Sequence, residues 1–392
     1  MYKELNPPVR ILMGPGPSDA HPKTLQAQAL PLIGHMDPAF VQVMNEVAEL
    51  LRELFGTENK LTLPMSGTGS AGMETLLVNL VEPGDKALIC VNGLFGQRMT
   101  DSAGRSGAEV TVVEAPWGEA IDPAQVAEAA AKDKFKLIGI VHAETSTGVK
   151  QPLEEISKIA EDNGALFVVD CVTSIGGVPI QADQVGIDAA FAGTQKCLSA
   201  PPGLAPATFN ERAVDVIMNR KTKIQSWYLD LQMIAKYWGG TKRAYHHTAP
   251  ISSIFALHAA LGVIHQEGLE NVFARHARLG KALQDGLEAM GMELLVRNPD
   301  HRLPDLTTVR IPEGIDDLAV RSRLLKDYSI EIGGGLGVLG GKIWRIGLMG
   351  HSCRERNVVL VLGALETILS DLGYKFDKGA GLAAAQKVLA QE

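Results

Sequence analysis

The sequence predicts an α/β fold, in which a large domain with a mainly parallel sheet is followed by a smaller α+β domain. Two observations support this prediction. Short, nearly continuous apolar runs alternate with helix-like stretches over the first two thirds of the 392 residues, as expected for parallel strands covered by helices on both faces. After about residue 265 the pattern changes to longer amphipathic segments with short apolar runs between them, which is typical of an α+β unit.

The individual elements follow from these runs. The predicted strands of the large domain are 87–91, 109–113, 137–141, 166–172, 188–193 and 205–209. A helix is predicted over 152–164, because this periodic segment ends on Asn-Gly, a common helix C-terminus. In the second domain the predicted elements are 271–291, 306–312, 315–328, 344–348 and 354–372. The last twenty residues are expected to form a weakly anchored tail helix.

The predicted boundaries are an N-terminal arm at 1–20, the large domain at 21–265 and the small domain at 266–392. Two domains are expected at this length, because single cores stop growing at about 250–300 residues. A cleft between two such lobes is a usual place for a ligand.

Charge and composition narrow the class of partner. The net charge is −8, with acidic and basic residues mixed along the chain, so we expect neither a nucleic-acid surface nor a polybasic membrane anchor. No apolar run reaches the roughly 18–20 residues of a membrane helix, and the first residues lack the layout of a signal peptide. We therefore expect a cytoplasmic protein with a small-molecule partner.

The four cysteines are expected to be reduced, mostly buried thiols. They are Cys90, Cys171, Cys197 and Cys353. Because they are far apart and show no CxxC spacing, the sequence favours neither a disulfide framework nor a zinc site. No metal is expected.

A glycine-rich turn at 64–74, PMSGTGSAGME, lies where a strand-like run leads into a helical stretch. Backbone N–H groups at such a helix N-terminus favour an anion, typically phosphate. Gly67, Gly69 and Gly72 also fit the G-x-G-x-x-G spacing of dinucleotide-binding proteins. The fingerprint expects an acidic residue at the end of the next strand, where this chain has Asn92. A nucleotide therefore remains a weaker alternative.

Asp170 and Lys196 lie at the ends of neighbouring predicted strands. Asp170 either caps the following turn or pairs with a cationic ring nitrogen of a ligand. Lys196 is either a solvated edge residue or an amine held in a cleft for chemistry. Together they suit pyridoxal phosphate (PLP), whose aldehyde forms a Schiff base with a lysine while a carboxylate keeps the pyridine nitrogen protonated. The glycine-rich turn would then bind the phosphate.

The sequence as a whole resembles the alanine–glyoxylate, serine–pyruvate and serine–glyoxylate aminotransferases, which are class-V PLP enzymes of fold type I. The motifs that carry the resemblance run in order from residue 11 to residue 358. They are GPGPS, SGTGSAGME, NGLFGQR, HAETSTGV, VVDCVTSIGG, TQK, YHHTAP and EIGGGLG. The resemblance implies a large domain built on a seven-stranded sheet, and a homodimer with shared active sites.

The resemblance also implies roles for single residues. Lys196 matches the Schiff-base lysine and Asp170 the partner of the pyridine nitrogen. The other positions that match cofactor-binding residues are Val172 on the ring face, Thr68, Gly69, Ser70 and Gln195 at the phosphate, Thr145 near the phenolic oxygen, and Tyr245 and Thr248 reaching the phosphate of the neighbouring subunit. Phe95 stands where some relatives have a stacking tryptophan, so the stacking area is smaller.

Substrate-binding positions follow in the same way. Arg345 matches the residue that binds the substrate α-carboxylate, a role that suits the planar guanidinium. Thr145, Gly16 and His35 are expected to lie near the substrate, whereas most other histidines are expected to be structural. The predicted activity is transfer of an amino group from alanine or serine to glyoxylate or pyruvate, with alanine–glyoxylate transamination favoured. The alternatives are serine–glyoxylate or serine–pyruvate transamination and, less favoured, a cysteine desulfurase that uses Cys353.

Overall fold

The computed structural model of the chain describes residues 2–239 and 243–391. The helices are α1 (Pro22–Gln28), α2 (Pro38–Phe55), α3 (Gly69–Leu80), α4 (Leu94–Arg105), α5 (Pro123–Ala130), α6 (Glu154–Asn163), α7 (Ala182–Val185), α8 (Glu211–Met218), α9 (Leu231–Trp238), α10 (Ile251–Glu267), α11 (Leu269–Ala289), α12 (Asp317–Asp327), α13 (Glu355–Asp371) and α14 (Ala380–Leu389). The strands are β1 (Ile11–Leu12), β2 (Leu61–Ser66), β3 (Lys86–Val91), β4 (Glu109–Glu114), β5 (Leu137–Val141), β6 (Ala143–Glu144), β7 (Val149–Lys150), β8 (Leu166–Asp170), β9 (Ala189–Phe191), β10 (Leu204–Phe209), β11 (Leu306–Arg310), β12 (Ile330–Glu331), β13 (Gly333–Gly334) and β14 (Ile343–Gly347).

A seven-stranded sheet in the order β2-β10-β9-β8-β5-β3-β4 forms the centre of the fold. Within this sheet, neighbouring strands in the run β9-β8-β5-β3-β4 pair in parallel, and β10 runs antiparallel to both of its neighbours. The predicted mainly parallel sheet is therefore confirmed. The strand predicted over 166–172 ends at Asp170, because the Asp170 carboxylate accepts the Val172 amide at 2.9 Å and turns the chain there.

Helices cover both faces of this sheet. In β5, Ile138 and Ile140 belong to the core that contains α2, whereas Leu137 and Val141 belong to the core that contains α3. Successive strand residues point to opposite faces, so both faces need apolar residues. This explains why the strands read as continuous apolar runs in the sequence.

The C-terminal part has its own core around an antiparallel sheet in the order β11-β14-β13. The N-terminal segment joins this part, since β1 pairs in parallel with β12 and Met13 is buried in the same core. The division of the chain into arm, large domain and small domain at residues 20 and 265 stays a prediction.

The expectation of a weakly anchored tail helix was wrong. In α14, Ala385 and Val388 are buried in the C-terminal core. Glycines allow α14 to approach α11 closely, because a Cβ at Gly286 would lie 3.1 Å from the Gly381 carbonyl oxygen. The helix is also bound at its end, where Arg278 donates to the Leu389 carbonyl at 2.9 Å.

Two further expectations can be compared with the structure. All four cysteines are free and buried, as predicted. Across residues 2–239 and 243–391, no helix combines the length and apolar character needed to cross a bilayer.

Candidate active site

A cavity of about 230 Å³ opens at the carboxyl edge of the central sheet. Because parallel strands all end at this edge, side chains that follow different strands meet there. The residues that line the cavity are Thr68, Gly69, Ser70, Met73, Phe95, Arg98, Val141, Ala143, Thr145, Asp170, Val172, Phe191, Gln195 and Lys196. The structure thus brings together most of the cofactor-binding positions predicted from the sequence.

Lys196 lies in the turn after β9 and is only 7% exposed. Its amine donates to the Pro15 carbonyl oxygen. Burial lowers the pKa of Lys196 to about 8, and the nearby Arg345 cation contributes to the same shift. Gly16 is essential to this packing, since its φ is +110° and a Cβ there would lie 2.7 Å from the Lys196 side chain. Proton loss from this amine therefore costs much less near physiological pH than it does for an ordinary lysine, so the neutral, nucleophilic form is easier to reach.

Asp170 ends β8, the strand next to β9, and is 3% exposed. Its Oδ1 accepts the Val172 amide, so the capping role considered for it is real. Burial raises the pKa of Asp170 to about 7. A buried carboxyl on the cavity wall gains most from a cationic partner such as a protonated ring nitrogen. Capping and ring binding are thus compatible for this residue.

The glycine-rich turn forms an anion-binding surface at the N-terminus of α3. Thr68 is the N-cap residue, and Gly69 and Ser70 open the helix, where N–H groups have no intrahelical acceptor. Gly69 allows close packing, since a Cβ there would meet Val172 Cγ2 at 3.2 Å. Gln195 lines the same cavity, and the N–H groups of its side-chain amide are hydrogen-bond donors. These groups fit a phosphate.

Sequence reasoning missed two charged residues at this site, Arg98 and Glu144. Arg98 stacks over the Phe95 ring at 4.7 Å and donates to Ser70 Oγ at 3.2 Å, which adds a cation to the anion-binding surface. Glu144 is fully buried and accepts the amides of Phe95 at 3.0 Å and Gly96 at 3.2 Å, which fixes the start of α4. Arg98 lies in the motif NGLFGQR and Glu144 in HAETSTGV, both of which support the resemblance. A charged residue inside such a motif was the signal that could have identified them as site residues.

Arg345 on β14 is 6% exposed and lies beside the segment that contacts Lys196. A Cβ at Gly333 would lie 3.6 Å from Arg345 Nη2 and 2.4 Å from Pro15, whose carbonyl accepts the Lys196 amine. Its Nε donates to the Gly334 carbonyl at 2.7 Å and its Nη1 to the Thr145 carbonyl at 3.3 Å. The Thr145 hydroxyl in turn contacts the Thr173 hydroxyl. Burial lowers the pKa of Arg345 to about 10, which leaves the guanidinium charged. A buried, charged fork beside a nucleophilic amine is suited to a substrate carboxylate.

Five predicted site residues do not line this cavity. Gly16 and Arg345 lie next to lining residues, since Gly16 packs on Lys196 and Arg345 donates to the Thr145 carbonyl. Tyr245, Thr248 and His35 lie at the surface or near it. Tyr245 is 63% exposed and Thr248 is also exposed. The His35 ring packs 5.3 Å from the Tyr245 ring, so these two residues belong to one surface region. Their roles at an active site stay predictions.

The structure argues against a reactive Cys353. Its thiol is 1% exposed, and burial raises the pKa of Cys353 to about 12. A desulfurase needs an accessible thiolate, and this thiol is neither accessible nor ionised.

The structure also argues against a dinucleotide-binding site at the glycine-rich turn. The strand before this turn, β2, is antiparallel to its neighbour β10, whereas the corresponding strand of a dinucleotide-binding unit is parallel to its neighbours.

A family model, described as aminotransferase class-V, matches residues 24–354. The chain belongs to this family. Among curated proteins, it is 42% identical to a (S)-ureidoglycine–glyoxylate transaminase of Bacillus subtilis, over 98% of this chain and 97% of that protein. It is 41% identical to an alanine–glyoxylate aminotransferase of Callithrix jacchus, over 94% of this chain and 90% of that protein.

A solved structure supports the same assignment. The alanine–glyoxylate aminotransferase of a Nostoc species has a TM-score of 0.92 and 47% identity, and the match covers 94% of this chain and 97% of that one. The class-V aminotransferase described here is therefore a PLP-dependent transaminase of fold type I. The cavity fits this cofactor, since the N-terminus of α3, the buried Asp170 and the amine of Lys196 all line one space.

Proposed function

We propose that this class-V aminotransferase transfers the amino group of alanine to glyoxylate. The observation that carries the proposal is the position of Arg345, a buried guanidinium that donates to the carbonyl of Thr145, which lines the same cavity as Lys196. It can bind one α-carboxylate and hold the substrate Cα near the amine. The similarity to the alanine–glyoxylate aminotransferases of Callithrix jacchus and a Nostoc species supports this choice of substrates.

When bound, PLP supplies an aldehyde that takes up the amino group and a ring that accepts electrons from the substrate Cα. Thr68, Gly69, Ser70 and Gln195 would hold its phosphate, and Asp170 its ring nitrogen. Val172 and Phe95 would contact the ring, and Thr145 would lie near its phenolic oxygen. Lys196 would bind the cofactor covalently and, once displaced by substrate, move the proton at Cα as a general base. Gly16 leaves room for this lysine.

The amino donor can be tested with a panel of purified substrates. Alanine, serine and (S)-ureidoglycine would each be paired with glyoxylate and with pyruvate, and kcat/KM compared. We expect alanine with glyoxylate to give the highest value. A higher value for (S)-ureidoglycine or serine would overturn the donor assignment, while absence of any transamination would overturn the proposed function. Sulfide release from cysteine, measured alongside, is expected to be negligible.

The role proposed for Arg345 predicts a specific kinetic effect. Arg345→Gln is expected to raise KM for alanine by about 10–100-fold, because charged hydrogen bonds contribute about 1.5–3 kcal/mol. Arg310→Gln is the matched control, since Arg310 lies on the adjacent strand β11 and pairs with Glu293 at the surface. An unchanged KM in a folded Arg345→Gln enzyme would contradict the assignment.

We propose that the enzyme is a homodimer in which Tyr245 and Thr248 reach the partner's active site. Two other exposed aromatic residues, Trp227 at 60% and Tyr228 at 43%, lie close to Tyr245 in space. Their rings pack on His246 and His247, the two residues after Tyr245, with centroid distances of 4.4 and 5.1 Å. Such a patch is typical of a subunit interface. Light scattering on the purified protein is expected to give twice the chain mass of 41.9 kDa, and a monomer would contradict the proposal. The cytoplasmic location stays a prediction.

A further inference from the structure

Asp305 is a fully buried carboxyl that none of the roles above uses. It lies just before β11 in the C-terminal part of the chain, and its solvent exposure is 0%. The Leu348 amide donates to its carbonyl oxygen at 2.8 Å, which ties it to the segment that follows Arg345 on β14. Its side chain points toward the central sheet, where Oδ2 lies 3.0 Å from Cys197 Sγ. Cys197 is the residue directly after Lys196.

The surrounding chain leaves space for this contact. A Cβ at Gly177 would lie 2.2 Å from Asp305 Oδ2 and 2.9 Å from Cys197 Sγ. Any side chain at residue 177 would therefore displace the carboxyl, the thiol or both. The glycine permits a direct contact between the C-terminal part and the turn that carries Lys196.

The charged residues of the site suggest a role for the contact between Asp305 and Cys197. Lys196 and Arg345 are two buried cations beside one short segment. The Pro15 carbonyl accepts the Lys196 amine, and a Cβ at Gly333 would lie 2.4 Å from Pro15 Cδ and 3.6 Å from Arg345 Nη2. Such a pair of cations needs counter-charges. Glu144 already accepts hydrogen bonds from the Phe95, Gly96 and Ser146 amides. Asp170 is committed to the cofactor ring under the proposed function. Asp305 remains, and its Oδ1 has no partner among the described residues.

We propose that Asp305 is a positioning residue for Lys196: its buried carboxylate, held by the Cys197 thiol, stabilises positive charge on the lysine nitrogen. This inference rests on the proposed role of Lys196. The charged groups that act on the lysine are the Arg345 cation on β14 and two carboxyl groups, Asp305 before β11 and Asp170 on β8. The Cys197 thiol beside Asp305 is neutral, since burial raises the pKa of Cys197 well above its ordinary value. Burial raises the pKa of Asp305 to about 7, and Lys196 counteracts that rise.

The test is a pH titration of the visible absorption band of the holoenzyme, which reports protonation of the lysine nitrogen bound to the cofactor. Asp305→Asn keeps the shape of the side chain and removes its charge. We expect the titration midpoint to fall by about one pH unit, because an opposite charge nearby favours the charged form. Asp188→Asn is the control, since Asp188 is a buried carboxylate that pairs with Arg212 near the start of β9. Its midpoint is expected to match that of the unaltered enzyme.

A second pair of variants covers the case in which Asp305→Asn does not fold. Cys197→Ala removes the thiol that holds the carboxylate and is expected to lower the midpoint, whereas Cys197→Ser keeps a donor and is expected to restore it. An unshifted midpoint in folded Asp305→Asn, or equal midpoints in both Cys197 variants, would overturn the inference.

Failure of the inference and failure of the proposed function are distinguishable. If the unaltered protein shows no cofactor band, the role of Lys196 itself is wrong. If the band is present and only the variants fail to shift it, Asp305 alone loses its role. Acetylation of Lys196 in the cofactor-free full-length chain can be measured by mass spectrometry over a range of pH, which gives an independent titration midpoint for the amine. We expect Asp305→Asn to lower this midpoint as well.

Discussion

Replacing Lys196 with alanine is expected to lower kcat for transamination by at least roughly 10³-fold, the range in which a positioned acid–base group contributes. The variant would lose both the covalent attachment of the cofactor and the amine that moves the proton at Cα. Steady-state kinetics with alanine and glyoxylate at saturating cofactor would measure the loss. The change should not harm folding, because a buried amine with a lowered pKa contributes little to stability.

Lys387→Ala is the matched control for this prediction. Lys387 is an exposed lysine on α14, far along the chain from the cavity residues, and its removal is expected to leave kcat unchanged. A Lys196→Ala enzyme with normal turnover would contradict the proposed chemistry.

Replacing Asp170 with asparagine is expected to lower kcat by roughly 10²–10³-fold, as found when one preorganised electrostatic group is removed from an active site. An amide can occupy the same space but cannot hold a ring nitrogen in its protonated form. The loss is expected in kcat for every donor, in contrast to Arg345→Gln, whose effect should appear in KM. Single-turnover kinetics would separate the two.

Asp170→Asn is expected to lower kcat but to stabilise the cofactor-free protein. Folding raises the pKa of Asp170 from 3.8 to about 7, so the charged carboxyl is penalised in the folded state. Its contribution to stability is therefore present at low pH and is lost as pH rises toward 7. We expect cofactor-free Asp170→Asn to melt at a higher temperature than the unaltered chain at pH 8, with the difference shrinking toward pH 4.

Asp188→Asn provides the contrast for both measurements. The Asp188 carboxylate accepts hydrogen bonds from the Phe167 amide, Asn210 and Arg212. Its removal is expected to lower the free energy of unfolding by about 1–3 kcal/mol while leaving kcat of the folded enzyme unchanged. A greater loss of kcat in Asp188→Asn than in Asp170→Asn would contradict the assignment of Asp170.

The sequence predicts the central sheet well, because local physical requirements determine it. Strands buried on both faces must be apolar along their length, as β5 is throughout and β8 is up to its last residue, Asp170. Side chains after parallel strands must meet at one edge, which brings Asp170 and Lys196 into one cavity. The roles of Lys196 and Asp170, by contrast, were open from spacing alone and depended on the resemblance to known aminotransferases.

Sequence patterns could not predict the contacts between segments that are distant in the chain. The anchoring of α14 depends on Gly286 and Gly381 facing each other, which no periodicity indicates. Glu144 and Asp305 become significant only through their neighbours in space, the amides at the start of α4 and the Cys197 thiol. Burial of Cys353 likewise follows from the fold, and it removes an alternative that the sequence had left open.

Covalent trapping of the cofactor tests the central claim most directly. The purified protein, loaded with PLP, would be reduced with borohydride, digested and mapped by mass spectrometry. The proposed function predicts a single pyridoxyl modification, on Lys196. Modification of a different lysine, or none at all, would contradict it.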